Sequence, residues 1–235
     1  MDKTRAFYNM IPTLGISLFI PIYFEDVLSL LVVYTGLGWV INTIILRTIT
    51  AFFFGIFIYC FLNLLFVNKN FKFGLVVVLG MLPGYGVSLI NPIHNTDYGL
   101  VNSEIALQNI EELEEATGAI FPEKQHFILA FMTSSCHHCQ EACRRLGTNK
   151  QAGQEIPVHM IFPGSMEDAQ EFLKENNGEG IFYHLLDDDD LFRRSCEKIY
   201  PSIYLMNGKN ETDYHWSGAE MNFSALDYIS EIRFN

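Results

Sequence analysis

The sequence predicts a helical membrane region followed by a soluble α/β domain, and three observations support this prediction. Up to about residue 92 the chain is apolar and almost free of charge, whereas residues 93–235 hold 10 Lys and Arg against 24 Asp and Glu, a net charge of −14. In this second part, apolar runs of strand length alternate with segments of helical periodicity. Two cysteines, Cys136 and Cys139, lie where the first such strand is followed by a helix.

The change in composition predicts three parts. We expect a membrane region with three or four transmembrane helices over residues 1–92, a linker with an amphipathic helix over 93–122, and the α/β domain over 123–235. A net charge of −14 on the soluble part repels the phosphate backbone, so the sequence excludes nucleic acid as a partner.

Uncharged segments of about 20 residues have the length that crosses a bilayer as a helix. The sequence holds three of them: Val27–Leu46, Thr48–Val67 and Phe73–Pro92. A fourth segment, Phe7–Phe24, is also uncharged but contains Pro12 and Pro21, which argues against a straight helix. We therefore expect this segment to be a kinked span or to lie at the membrane interface.

The distribution of Lys and Arg predicts the orientation of the spans. If Phe7–Phe24 does not cross the membrane, four basic residues share one side and only Arg47 lies on the other; the four are Lys3, Arg5, Lys69 and Lys72. This count places everything after Pro92 outside the cytoplasm.

In the soluble part, periodicity and end signals predict the elements in order. Gly118 ends the first helix, Ser165 and Asp168 form a capping box, and Asn207-Gly208 is typical of a hairpin turn. The predicted helices are Ser103–Thr117, Cys136–Lys150, Met166–Asn176, Asp187–Lys198 and Asn222–Ile232, and the strands are Phe127–Met132, Pro157–Phe162, Ile181–Leu186, Ser202–Met206 and Tyr214–Trp216.

The place of the two cysteines has chemical consequences. Free N–H groups and the helix dipole stabilise negative charge at a helix start, so a thiol there ionises more readily, and the thiolate is the nucleophile in disulfide exchange. We expect Cys136 to attack and Cys139, one turn further on, to resolve the mixed disulfide. His137 and His138 lie between them, and protonated imidazoles would favour the thiolate.

Two other uses of these thiols are open from the sequence. The cysteine pair with Cys143, His137 and His138 is rich in metal ligands and would suit copper or zinc, but no second CxxC or spaced His pair completes a tetrahedral shell. The pair can also be a static disulfide in a redox-silent docking domain. Five cysteines with one close pair do not form a disulfide scaffold. We interpret Cys143, Cys196 and Cys60 as buried apolar residues, with a regulatory third thiol as the alternative for Cys143.

The remaining histidines and acids receive structural interpretations. His94, His126, His159, His184 and His215 have no mutual spacing typical of ligands. The acidic run Asp187–Asp190 is interpreted as the solvated start of a helix.

The order strand, helix, strand, helix, hairpin and closing helix, with CxxC at the first strand–helix junction, resembles a thioredoxin-like domain from about Glu123 to Ile232. In that family an X-Pro bond before the third core strand is cis and faces the CxxC, and Tyr200-Pro201-Ser202 matches that place. The resemblance implies that Pro201 shapes the edge that pairs with substrate. Ser135 replaces the family's tryptophan, and His137-His138 lacks its proline, which leaves the direction of electron transfer open.

The combined layout resembles the DoxX-related membrane proteins of Bacteroidetes-type bacteria that end in a thioredoxin-like domain. LPGYGVSLINP, HFILAFMTSSCHHCQEACRRL and YPSIYLMNGK carry this resemblance. It implies a multi-pass protein of the bacterial inner membrane with an extracytoplasmic thioredoxin-like domain. The resulting hypothesis is a membrane-tethered thiol–disulfide oxidoreductase without a prosthetic group, whose partners are protein thiols or disulfides, the lipid bilayer and a membrane redox protein.

Overall fold

The computed structural model describes residues 3–66, 72–88, 107, 109–196 and 199–232. It divides into two compact units, Met1–His94 and Asn95–Asn235, and each is described by itself. The predicted part boundaries at residues 92 and 122 stay predictions.

The first unit consists of apolar helices. They are α1 (Lys3–Ile22), α2 (Phe24–Thr35), α3 (Trp39–Leu65) and α4 (Phe73–Ser88). Pro12 and Pro21 lie inside α1, and the chain bends by 87° between α1 and α2. Residues 7–22 lie in α1, which continues through both prolines, and the bend falls at Tyr23, so the expectation of a kinked or interfacial segment stays a prediction.

The predicted ends of the next two segments were wrong. We expected Val27–Leu46 and Thr48–Val67 to be separate spans divided at Arg47, but α3 runs through Arg47, and the break lies at residues 36–38. Gly36 ends α2 in the left-handed conformation, with φ 64° and its N–H donating to Val32 O. The glycine ends the helix, whereas the single charge of Arg47 does not. The count of Lys and Arg residues on the two sides of the membrane assumed that Arg47 lies in a loop, so that count loses its basis.

Arg47 is 5% exposed, with its guanidinium 5.8 Å from the centre of the Phe24 ring. Among the described residues, α3 alone is long and apolar enough to cross a membrane. The bent pair α1 and α2 passes the same test if it is counted as one span. The described part of the helical region therefore holds one or two possible apolar spans by length and composition, and the predicted number of three or four transmembrane helices stays a prediction.

Small residues allow α3 and α4 to approach each other closely. A Cβ added to Gly84 would lie 3.0 Å from the Cα of Ala51, and one added to Gly80 would lie 2.9 Å from the Cα of Gly55. Such backbone-to-backbone contact is typical of helix packing in membranes.

The second unit is a mixed α/β domain built on five strands among the described residues. In chain order the elements are α5 (Ile110–Thr117), β1 (His126–Phe131), α6 (His137–Gln151), β2 (Val158–Phe162), α7 (Met166–Glu175), β3 (Phe182–Leu185), α8 (Asp189–Ser195), β4 (Ser202–Asn207), β5 (Thr212–Ser217) and α9 (Phe223–Glu231). The sheet order is β3-β2-β1-β4-β5; β1, β2 and β3 are parallel, while β4 is antiparallel to β1 and β5. This is the order of the thioredoxin fold and confirms the predicted thioredoxin-like domain.

Helices cover both faces of the sheet. On one face the Phe131 ring packs edge-on against Phe192 of α8, at 5.7 Å between centroids. On the other face Phe162 packs against Phe172 of α7 at 5.3 Å, and α6 is tied to α9 by a hydrogen bond from the Asn149 amide to the carbonyl of Leu226. The central strand β1 is therefore buried on both sides, as its continuous apolar run predicted.

The end signals read from the sequence are confirmed in the structure. Ser165 accepts the Asp168 N–H at the start of α7, and Gly118, with φ 68°, ends α5. Two predicted helices are shorter among the described residues: α5 begins at Ile110 rather than Ser103, and α8 ends at Ser195. Residues 103–106, 108, 197 and 198 lie outside the described residues.

Candidate active site

Cys136 is the N-cap residue of α6, directly after the turn that follows β1. Its backbone is extended, with φ −93° and ψ 118°, and its sulfur accepts the N–H of Cys139 at 3.4 Å. The side chain is partly exposed, whereas Cys139 is fully buried. A helix start therefore presents one accessible sulfur to its free N–H groups and places the second sulfur behind it.

The two thiols differ in their surroundings, and both are free in the structure. Burial raises the pKa of Cys139 well above its ordinary value of 9.0, and the neighbouring Cys136 raises it further, while a backbone hydrogen bond at Thr133 acts in the opposite direction. Cys139 is thus a shielded, protonated thiol at neutral pH. This is the arrangement expected of an attacking and a resolving cysteine.

The proline predicted from the sequence lies beside this pair. The Tyr200–Pro201 peptide bond is cis. The Cys136 thiol donates to the Tyr200 carbonyl oxygen at 3.6 Å, so the backbone edge that precedes Pro201 contacts the exposed sulfur. Residues 64 positions apart in the chain are brought together here.

The two histidines between the cysteines both contact Glu141. His137 Nε2 lies 3.3 Å from one Glu141 carboxylate oxygen, and His138 Nδ1 lies 3.5 Å from the other. The two side chains are 73% and 53% exposed. Sequence reasoning overlooked Glu141, although its spacing of four and three residues from these histidines is typical of helical side-chain pairs.

The other candidate ligands do not form a metal site in the part of the chain that the structure describes. No group of three or more His, Cys, Asp or Glu side chains there is arranged to hold a metal ion. Burial raises the pKa of Cys143 to about 12, and a Cβ on Gly178 would lie 3.1 Å from its sulfur. Cys196 is buried and its thiol donates to Phe192 O at 2.9 Å. Both agree with the interpretation as buried apolar residues.

The buried His159 and the half-buried His184 form a pair that the sequence did not reveal. His159 Nδ1 lies 3.0 Å from His184 Nε2, and the rings are nearly parallel at 9° with centroids 5.3 Å apart. The centroid distance is about equal to the distance between the two nitrogens plus the radii of both rings. The two rings therefore lie in one plane, and an N–H of one ring donates to a nitrogen of the other. The register of β2 and β3 creates the pair, which spacing in the sequence cannot show.

The remaining histidines and acids have structural partners, as expected. His126 Nε2 lies 3.0 Å from Asp213 Oδ2, and His215 Nε2 lies 2.7 Å from Ser202 Oγ. Within the acidic run, Asp188 caps α8 by accepting two backbone N–H groups. His94 lies outside the described residues.

No family model matches the chain, and no curated protein matches it. Solved structures do match over about half of its length. StoA from Bacillus subtilis is 20% identical over 46% of this chain and 84% of its own, with a TM-score of 0.39. A secreted Mycobacterium tuberculosis disulfide oxidoreductase homologous to E. coli DsbE is 15% identical over 46% of this chain and 81% of its own, with a TM-score of 0.38.

A third match has the same extent. The thioredoxin domain of a thiol-disulfide oxidoreductase from Bacteroides vulgatus is 15% identical over 48% of this chain and 98% of its own, with a TM-score of 0.37. At these scores the likenesses carry no weight of their own, and the strand order and the cysteine geometry remain the grounds for a thioredoxin-like domain. The predicted DoxX relationship has no support among these matches and stays a prediction.

Proposed function

We propose that the chain is a membrane-tethered thiol–disulfide oxidoreductase. One observation carries the proposal: the partly exposed Cys136 sulfur accepts an N–H at the start of α6, while Cys139 is buried one turn behind it. A helix start favours a thiolate nucleophile, and burial keeps the second thiol from reacting with solvent.

The proposed reaction conserves atoms and electrons. The Cys136 thiolate attacks one sulfur of a substrate disulfide, that S–S bond breaks, and the departing substrate thiolate takes up a proton. Cys139 then gives up its proton and attacks the Cys136 sulfur, which releases the second substrate thiol and forms the Cys136–Cys139 disulfide. Two electrons have moved from the cysteine pair to the substrate. A dithiol protein then reduces the Cys136–Cys139 disulfide back to two thiols. The same steps in reverse oxidise a substrate dithiol.

Neighbouring groups take supporting roles in this proposal. His137 and His138, held by Glu141, place imidazoles at the edge of the site, and the Tyr200–Pro201 backbone offers an extended edge to the substrate chain. No prosthetic group takes part. The partners are protein thiols or disulfides and a membrane redox protein, and the apolar helices anchor the domain in the bilayer of the bacterial inner membrane.

Trapping tests the reaction directly. In full-length protein, Cys139→Ser removes the resolving thiol and should accumulate mixed disulfides on Cys136 that dithiothreitol releases. Cys143→Ser is the matched control, since it removes a buried thiol one turn further along the same helix and should give no adducts. Absence of adducts with Cys139→Ser under both oxidising and reducing conditions would contradict the proposal. Normal function of a Cys136→Ala, Cys139→Ala double variant would favour the docking alternative.

Labelling tests the proposed location outside the cytoplasm. A membrane-impermeant maleimide added to intact cells should modify Cys136 after mild reduction. Cys136→Ala is the control for labelling of other thiols. Modification only after cells are broken open would place the domain in the cytoplasm.

A further inference from the structure

A buried hydrogen bond lies directly behind the proline edge. Ser202 follows Pro201 and begins β4, and its Oγ lies 2.7 Å from Nε2 of His215 on the neighbouring strand β5. Ser202 is fully buried and His215 is 1% exposed. A hydrogen bond at this depth cannot be replaced by water, so both groups depend on each other.

Register brings this bond next to the cysteine site. Ser202 pairs with Phe131, the last residue of β1, on one side and with Ser217 on the other. The Pro201 carbonyl accepts the N–H of Gly218 at 2.8 Å. The chain around Pro201 is therefore held from the β5 side at two successive residues, while Tyr200 O contacts the Cys136 sulfur.

The imidazole of His215 is itself fixed in place. It stacks on the Tyr204 ring, with centroids 4.2 Å apart and an angle of 24°, and the Tyr204 hydroxyl donates to Ser195 O at 2.7 Å. Burial lowers the pKa of His215 to about 4, so the ring is neutral at working pH. A neutral ring held between β4 and β5 is a rigid support for Ser202.

We propose that His215 is a positioning residue, which acts through Ser202 to hold the Tyr200–Pro201 edge at the distance from Cys136 that an extended disulfide substrate needs. This inference rests on the proposed function, because the edge matters only if a substrate chain pairs with it. His215 touches neither the substrate nor the sulfur.

Three substitutions at this position separate positioning from simple filling of space. The terminal amide of Gln reaches the place of Nε2 and can donate to or accept from Ser202, whereas the shorter Asn amide reaches only the place of Nδ1. His215→Leu fills the volume without any hydrogen bond. A positioning role therefore predicts that His215→Gln keeps the affinity for the substrate and that His215→Asn and His215→Leu weaken it.

The first measurement is steady-state reduction of a disulfide-bonded peptide by the full-length protein in detergent, with dithiothreitol as the final reductant. For His215→Asn and His215→Leu we expect KM to rise about tenfold with kcat within about twofold, and for His215→Gln both values within about twofold of the natural protein. His159→Gln is the matched control, a buried histidine on the same face of the sheet, and should leave KM unchanged. A fall in kcat without a change in KM, or equal loss with Asn and Gln, would overturn the proposal.

The second measurement does not depend on activity. Amide hydrogen exchange of the peptide that covers Tyr200–Leu205 in the full chain should rise at least about fivefold in His215→Asn and stay unchanged in His215→Gln. Unchanged exchange in both would overturn the positioning role even if the enzyme is active. If the unsubstituted protein reduces no disulfide while exchange responds as expected, the proposed function fails and the structural part of the inference stands.

Discussion

Acid should destabilise the α/β unit (Asn95–Asn235) through two buried histidines. Burial lowers the pKa of His159 and of His215 to about 4, and for His159 the charges of His184 and Lys150 add to the effect. In the unfolded chain the pKa of both histidines returns to about 6.5. Between pH 6.5 and pH 4 the unfolded state therefore binds more protons than the folded state. The stability that the neutral rings contribute is complete above pH 6.5 and is lost as the pH falls toward 4.

The size of the loss follows from the two pKa values. When the pH falls from 8 to 5, one histidine whose pKa is lowered from 6.5 to about 4 by folding reduces the free energy of unfolding by about 2 kcal/mol. Two independent histidines of this kind reduce it by about 4 kcal/mol. Both rings are at least nine-tenths buried, so solvent screening reduces these values little. Against a typical domain stability of about 5–15 kcal/mol, this loss is large.

Urea unfolding of the full chain in detergent, followed by fluorescence, measures this loss. Trp216 is fully buried in the α/β unit and reports on its unfolding. Trp39→Phe removes the fluorescence of the other tryptophan, which lies in α3. His159→Gln should reduce the difference between pH 8 and pH 5 by about 2 kcal/mol. The control His138→Gln changes a histidine that is 53% exposed and should leave the difference unaltered. If the difference in His159→Gln is as large as in the unsubstituted chain, the reasoning is refuted.

The remaining predictions concern helix packing, thiol reactivity and capping. Gly84→Ala should destabilise the helical unit (Met1–His94) in a thermal assay by about 1–3 kcal/mol, because its Cβ would lie 2.9 Å from the Cβ of Phe54; Gly86→Ala on the same helix meets nothing within 4 Å and should be neutral. In the reduced protein, iodoacetamide should modify Cys136 at least about 100-fold faster than Cys139, measured by mass spectrometry; equal rates would contradict the burial argument. Asn222→Ala should cost about 1 kcal/mol in urea unfolding, since Asn222 caps α9 by accepting the Ala225 N–H at 3.0 Å.

The elements of the α/β unit could be predicted from the sequence because the residues that start and end them act locally. Strand β1 is a continuous apolar run, Ser165 and Gly118 mark helix ends, and Asn207-Gly208 marks the turn before β5. Each of these acts within a few residues of itself, so the elements and their order were predicted correctly. The cysteine pair followed from the same local pattern, since the N-cap position of Cys136 depends only on where β1 ends.

Features that depend on register or packing could not be predicted in this way. The His159–His184 and Ser202–His215 pairs form because strands align side by side, and nothing in the spacing of these residues indicates it. In the helical unit, Arg47 was interpreted as the end of a span because a charge is costly in lipid. The structure buries it at 5% exposure inside α3, with its guanidinium 5.8 Å from the centre of the Phe24 ring, a contact that the sequence does not display.

Strand register also explains why the candidate site exists at all. Phe131 at the end of β1 lies opposite Ser202 at the start of β4, and in an antiparallel pair the residues beyond these two ends must meet at the same edge of the sheet. The turn that leads to Cys136 therefore lies beside Tyr200 and Pro201 whatever the residues between the cysteines are. A shift of one residue between β1 and β4 would turn Ser202 to the opposite face of the sheet. The β1–β4 pairing thus fixes the sulfur and the proline edge together, and the β4–β5 pairing adds the buried support of Ser202 by His215. His137 and His138, by contrast, contact Glu141 of α6.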